Sequence, residues 1–436
     1  MMTPTNVIEP QKPAVEVKYC PIRTVGGGAP HHFFGYYNKS TWNKSGQYFL
    51  SNQVSMMTGD LNGEQVCSLG FFDLLNGDSF HEIGQTSAWN WQMGCQLQWI
   101  ESDDRTRIIY NKHAESSLGV YPGFCSVLHD VDSGESRTLP LPIYVAAPNG
   151  QYALCVDYSR FQVTHETIGY STIGPEPELD SAPAVDGIYS MDIETGDYQL
   201  LISLRQLTEH QSVKSMEKAI HWVTHLEIAP NAERFLFLHR WTERVEDETC
   251  FLHRLYSMAA DGSDLRLLEC TDHPLPQLAD SFDAAAVGTF DYEKSEYQIS
   301  HPAWRDSESI VVWGPHNGKI HYHLYDDRTG VAQILGAETL TENGHMTYSA
   351  DGRWLLTDTY PDSESNKRDL ILYDVANDTP YIIGQFFTPP DLGKHNRCDL
   401  HPRWSPDNKF VSIDSVHDGS RQQYIIDVSA VVLAIN

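Results

Sequence analysis

Short runs in which apolar and polar residues alternate recur along the whole chain. Each run ends in a turn of the Pro/Ser-Asp/Asn-Gly type, and a second, more apolar run follows. The best examples are HLEIAPNAERFLFLHRW from His225, HPAWRDSESIVVWGP from His301, HMTYSADGRWLLTDTY from His345 and HPRWSPDNKFVSIDS from His401. Alternation over four to eight residues predicts strands half buried between two layers. After a gap, each unit adds an "x-Y-D" strand and a TG- or DG-type turn, as in RLYSMAADGSDLRLLE and YHLYDDRTGVAQILG. Three earlier units have the same plan. They are NKSTWNKSGQYFLSN with LGFFDLLNGDSFHEIG, QLQWIESDDRTRIIYN with SVLHDVDSGESRTL, and IYVAAPNGQYALCVDY with IYSMDIETGDYQLLIS.

Seven such units predict an all-β chain, a seven-bladed β-propeller forming one domain over residues 1–436. The blades start near positions 36, 95, 142, 224, 300, 344 and 400. The seventh, HPRWSPDNKFVSIDS with RQQYIIDVS, has almost no chain left for an outer strand. An N-terminal strand at 15–22, VEVKYCPI, is expected to complete it and so remove an open sheet edge. The longest inserts, 161–186, 205–224 and 272–300, are expected to rim one mouth of the ring.

The repeat gives four histidines one equivalent place. His225, His345 and His401 stand six residues before Asn231, Asp351 and Asp407, and His301 stands five before Asp306. In a propeller this place faces the central axis. Neutral imidazole is a common ligand of divalent metals, so four around one axis read as a metal site. Hydrogen bonding among them around a wet channel is the structural alternative. Cys398 lies three residues before His401 in RCDLHPRW, and a thiolate there favours zinc over manganese. The candidate ligands are His301, His345, Cys398, His401 and His225.

Blades one to three lack the histidine, with Asn38, Leu97 and Ile143 in its place by sequence register. Other polar groups lie nearby. Tyr144 opens an inner strand and Arg160 closes the next, so a hairpin can bring an acid–base phenol beside a carboxylate-binding guanidinium. A core tyrosine and a structural arginine are the alternative. Gln92, Asn111 and His113 complete the candidate catalytic set. Tyr36, Tyr37, Trp89 and Trp91, in HHFFGYYNKS and AWNWQMG, are candidate sugar-binding residues, or else packing between blades.

Composition narrows the partners. A formal net charge of −29 counts against nucleic acid, whose phosphates need a basic footprint. It leaves room for an anionic polysaccharide or oligosaccharide, since a few cations in a cleft outweigh a distant acidic surface. The eight cysteines are scattered without a CxxC pair, which fits reduced thiols. The N-terminus has no apolar signal region, and no apolar run is long enough to span a membrane. A cytoplasmic monomer is the expectation. Dinucleotide, Walker and GxSxG patterns are absent.

The repeats, the axial histidines and the fragments HHFFGYY, DTYPD and RCDLHPRWSPD resemble the oligogalacturonate lyase family and the related seven-bladed ulvan lyases, within the wider group of TolB-like propellers. The likeness covers most of the chain and is strongest over about 220–428. It implies a polysaccharide lyase that cleaves a uronic-acid-containing glycan by β-elimination with the help of a divalent metal. In the pectic lyases, the segment matching Cys398–His401 supplies ligands, with Gln at the cysteine position and a further His where this chain has Arg403. His301 matches either a ligand or the catalytic histidine. In the ulvan lyases a Tyr and an Arg on successive strands match Tyr144 and Arg160, while Gln92 and Asn111 stand where those enzymes carry histidine. A non-catalytic TolB-like propeller that binds a glycan or a protein is the alternative function.

Overall fold

The four histidine-bearing repeats close their first hairpin in the same way. The side chain of Asn231, Asp306, Asp351 or Asp407 accepts the backbone N–H two residues on, at 2.8–3.1 Å. Such Asx turns reverse the chain without needing a long loop. In three of the four turns the intervening residue, Ala232, Gly352 or Asn408, has φ of +61°, +67° or +58°.

These hairpins build seven sheets of a β-propeller in a computed structural model that describes residues 15–27, 30–102, 105–114, 118–121, 123–172, 178–245, 251–272, 295, 297–393 and 395–433. Parts of all three long inserts are described, apart from 173–177, 273–294 and 296. The innermost strands are His31–Phe33, Gln98–Ser102, Ile143–Ala146, Ile220–Ile228, Ser300–Trp304, Met346–Tyr348 and Arg403–Trp404. In every blade the strands run outward in antiparallel order. The apolar faces pack blade on blade. Leu236, Leu238 and Leu255 of blade four meet Ile299, Ile310 and Val312 of blade five, and Leu356, Leu370 and Leu372 of blade six meet Val411, Ile413 and Ile426 of blade seven. Among the described residues, no helix is long and apolar enough to cross a membrane. The seven described cysteines are free thiols.

Chain closure differs in detail from the expected strand at 15–22. The outer strand of blade seven is Ile22–Thr24, antiparallel to Gln422–Asp427. Glu16–Val17 instead extends blade six, parallel to Thr379–Phe387. One segment therefore covers two adjacent sheet edges. Deleting residues 1–26 should lower the melting temperature by several degrees, because it bares the edge of blade seven. Deleting 1–18 should cost much less, since it removes only two residues of edge pairing. Equal melting of both truncations and the full chain would contradict this closure.

The innermost strands carry a local irregularity that places the site. In blade four, Thr224 pairs with Leu238 and Glu227 with Leu236, so His225 and Leu226 oppose one residue. Blade five repeats this at His301 and Pro302, between Ser300 and Ala303. In blade seven Leu400 accepts the N–H of Asp414 while Arg403 pairs with Ser412, which leaves His401 and Pro402 as the extra pair. These are β-bulges, which re-aim a side chain. His225, His301 and His401 have φ of +54°, +50° and +45°, a region uncommon for residues other than glycine.

Blade two has the same bulge with Gln96 at φ +57°, and blade three has one extra residue, Tyr144. The axial equivalents in those blades are therefore Gln96 and Tyr144, one residue from Leu97 and Ile143. Blade one departs further. Its innermost strand stops at Phe33 and pairing resumes at Trp42, so residues 34–41 loop into the axis.

Candidate metal centre and its surroundings

That loop drives Tyr36 and Tyr37 against the four imidazoles. Ring centroids lie 5.5, 6.1 and 5.1 Å from Tyr36 to His225, His345 and His401. From Tyr37 they lie 5.8 and 5.5 Å to His301 and His345. The histidines themselves form a row, with His225–His301 at 5.9 Å, His301–His345 at 4.0 Å and His345–His401 at 4.3 Å. All six side chains are buried. Burial holds His225, His301 and His401 well below the usual histidine range, so their rings are neutral bases.

The row divides by hydrogen bonding. His225 is committed at both nitrogens, with Nε2 2.6 Å from the Tyr36 hydroxyl and Nδ1 2.9 Å from Thr224 Oγ1. His345 Nδ1 lies 3.0 Å from the Asp358 carboxylate, which also accepts the backbone N–H groups of His345 and His401. An acceptor on Nδ1 fixes the proton there and leaves the Nε2 lone pair available. The Nε2 atoms of His345 and His401 are buried without a hydrogen-bond partner. With a carboxylate oxygen of Asp399 they lie within 4.8 Å of one another. Arg368 and Arg397 approach that carboxylate at 2.8 Å each. Against burial, which alone would raise it, the two guanidinium groups hold the Asp399 carboxyl well below its usual range. Two orphaned imidazole nitrogens and an ionised carboxylate form a donor set that suits a divalent cation.

Asp399 was not among the residues singled out in sequence, although it stands two before His401 in RCDLH. Cys398, which was, packs on the other side of the strand entry with Leu392 and Val416. Burial pushes its thiol up to about 11, the reverse of what a ligating thiolate needs. The premise that favoured zinc is thereby removed. His301 adjoins the group, and its Nδ1 faces Asn343 Oδ1 at 3.3 Å and Ser300 Oγ at 3.2 Å. Arg403, at the position of the family's further histidine, turns away to Tyr36 O, Gly35 O and Asp414.

The second candidate set is not brought into one cleft. The strand after Tyr144 stops at Cys155, and Asp157 caps a helix over Tyr158–Thr164 by accepting the Ser159 N–H. Arg160 is therefore on a helix. It donates from Nε to Asp186 at 2.6 Å, from Nη1 to His221 O at 2.9 Å and from Nη2 to Asp180 O at 2.8 Å. Tyr144 is fully buried, and its hydroxyl accepts the His225 N–H at 2.9 Å. Asn111 clamps the Ile143 backbone with both ends of its amide. His113 is half-buried against Phe124, with ring centroids 4.8 Å apart. Trp89 and Trp91 pack edge to face at 4.9 Å and donate to the carbonyls of Gln65 and Gly59. Of these residues Gln92 alone is tied to the metal-ligand segment, donating to Arg397 O at 3.1 Å. Tyr144→Phe should cost about 1–3 kcal/mol of stability, because it leaves the buried His225 N–H unpaired. Specific activity of the folded variant should stay within a few-fold of wild type.

Loops of blades one, two, three and seven interlock above these residues. Gly59 N donates to Asn396 Oδ1 at 2.8 Å, Asn90 Nδ2 to Gly169 O at 3.1 Å and Ser171 Oγ to Leu61 O at 2.6 Å. On the blade-six side a cavity of about 570 Å³ opens on the same face. Asn343, Tyr360, Lys367, Asp369 and Gln385 line it. The Tyr360 ring is 6.0 Å from His345 and 6.5 Å from His301, so the cavity adjoins the histidine row.

No protein-family model and no curated protein matches this sequence. Solved structures do match in shape. An oligogalacturonate lyase from Vibrio parahaemolyticus is 14% identical, with 94% of each chain covered and a TM-score of 0.59. An oligogalacturonate lyase in complex with manganese is also 14% identical, with 95% of this chain and 98% of that one covered and a TM-score of 0.60. The fold is that of the oligogalacturonate lyases. At this identity the likeness speaks for the fold alone.

Proposed function

We propose that this protein is a metal-dependent lyase that cleaves a uronic-acid-containing oligosaccharide by β-elimination. The observation that carries the reading is the buried His345–His401–Asp399 group, with two unpartnered Nε2 atoms, beside a cavity large enough for sugar units. The shared fold with lyases, one of them a manganese complex, supports it. His345, His401 and Asp399 would hold the ion, and a set of two nitrogens and one oxygen gives no preference for zinc over manganese. When bound, a divalent cation draws charge from the uronate carboxylate and so acidifies the proton on C5.

The chain's own groups supply the remaining steps. His301 donates its Nδ1 proton to Asn343, which leaves Nε2 as the base that takes the C5 proton. The released electron pair forms the C4–C5 double bond and the C4–O bond breaks. Tyr360, which lines the cavity, delivers a proton to the departing oxygen. Asp358 keeps His345 in the tautomer that presents Nε2. Lys367 is the cation lining the same cavity and is placed to meet a further carboxylate of the oligosaccharide.

A second reading, a propeller that binds a glycan without cleaving it, is favoured by the commitment of Tyr144, Arg160 and Asn111 to protein partners. Manganese- or zinc-loaded protein incubated with a panel of uronate oligomers separates the two. The lyase reading expects the ultraviolet absorbance of an unsaturated uronate product on at least one of them. Calorimetric binding with no such product on any oligomer would establish the second reading in its place.

A further inference from the structure

The cavity on the blade-six side and the centre it adjoins are charged differently. At the axial end Asn343 faces His301, and the Tyr360 ring lies 5.8 Å from the Arg368 guanidinium and 5.9 Å from that of Arg397. These two cations share one carboxylate, that of Asp399. With the ion that the centre would hold, they make this end the place for a carboxylate. The lining of the cavity itself has the opposite balance. Three carboxylates, of Glu342, Asp362 and Asp369, stand against the single ammonium of Lys367. Glu342, Asp362 and Lys367 are exposed and Asp369 is half-buried, so all four meet the water that a ligand displaces.

Neutral donors hold Asp362 and Asp369 without cancelling their charge. Asp362 Oδ1 accepts the backbone N–H of Ser365 and the Ser365 hydroxyl, each at 2.8 Å. Asp369 Oδ1 accepts the amide of Gln385, its partner across the sheet, at 2.7 Å. Gln385 Oε1 in turn accepts the Tyr19 hydroxyl at 2.6 Å, so the amide is fixed from both sides. Lys367 and Asp369 are alternate residues of the strand Lys367–Asp374 and share one face. A carboxylate that accepts, beside an ammonium and an amide that donate, suits the hydroxyls of an uncharged sugar.

We infer that the oligosaccharide taken here is mixed in charge, with a uronate at the metal centre and mainly uncharged sugar units along the cavity, rather than an unbroken run of uronates. The inference rests on the lyase reading for the uronate at the metal, and it deepens that reading by naming the substrate class. Lys367 meets one further carboxylate at most. Any other in the cavity faces an excess of two like charges, three carboxylates less one ammonium. In a cavity open to water, such an excess a few ångströms away weakens binding roughly tenfold.

The test is isothermal titration calorimetry on the manganese-loaded full chain with two galacturonate tetramers that differ in charge but not in backbone. One has all its carboxylates free, and the other is methyl-esterified except at a single internal unit. The same pair on a glucuronate backbone covers the other configuration at C4. The titrations use His301→Gln, which removes the proposed base and keeps the probes intact. Glutamine already occupies the equivalent bulge in blade two, as Gln96 at φ +57°. The expectation is saturable binding on at least one backbone, with the mono-acid form bound about tenfold more tightly than the all-acid form. With Asp362→Asn and Asp369→Asn combined, the gap should narrow to about twofold, because the amides keep the hydrogen bonds accepted at Oδ1 and lose only the charge. The ratio is taken within one protein, so a general loss of affinity cancels. Equal or tighter binding of the all-acid form, an unchanged ratio in the double variant, or no saturable binding on either backbone would overturn the inference. Product absorbance from the wild-type protein is followed in parallel. Its absence with the affinity ratio intact would overturn cleavage alone and leave the charge preference standing.

Discussion

Replacing His401 with asparagine should remove the bound metal and lower turnover by roughly 10³-fold or more. Asparagine tolerates the left-handed backbone that His401 adopts at φ +45°, so the bulge survives. The shorter side chain withdraws the donor from the shared centre. A Lewis acid contributes several kcal/mol to a transition state that gathers charge, and each 1.36 kcal/mol is tenfold in rate. Since His401 Nε2 has no protein partner, its loss should leave the melting temperature of the metal-free protein little changed. Asp358→Asn should act through His345, weakening metal affinity about 10–100-fold. Metal content by elemental analysis and product formation on the responsive uronate oligomer check both variants. Full metal binding in His401→Asn would remove His401 from the ligand set.

Arg160→Met should have the largest effect on folding, about 3–5 kcal/mol, the usual cost of removing one partner of a buried ion pair. Arg160 is 4% exposed, and its guanidinium satisfies Asp186 together with the carbonyls of His221 and Asp180. Without it the Asp186 carboxylate is left beside Asp157, whose own carboxyl burial and Asp186 already push up to about 6. Denaturant titration measures the loss. If the variant were as stable as wild type but failed to turn over substrate, Arg160 would be the partner of a substrate carboxylate after all.

Sequence periodicity shows the propeller clearly because the interblade strands recur in seven blades and the Asx turn recurs in at least four of them. The axial place of the four histidines is legible for the same reason. Less legible is which of them share a centre, since that depends on hydrogen bonds from residues far along the chain. Tyr36 takes up His225 from blade one, and Asp358 orients His345 from the neighbouring strand of its own blade. The sequence does not mark Asp399, because the Cys398–His401 spacing points to sulfur, whereas the strand entry turns the thiol into an apolar pocket and the next residue toward the axis. Tyr144 and Arg160 look like neighbours on a hairpin until Asp157 is read as a helix cap, a signal present in the sequence VDYSRF. The excursion that carries Tyr36 and Tyr37 breaks the repeat, and periodicity cannot show where such a loop points.

The most direct test of the central claim is the anomalous difference density of crystals grown with manganese, collected at the metal's absorption edge. The account predicts one peak per chain on the propeller axis, with His345 Nε2, His401 Nε2 and an Asp399 oxygen each about 2.0–2.3 Å away. No peak there, or a peak held by other side chains, would contradict it.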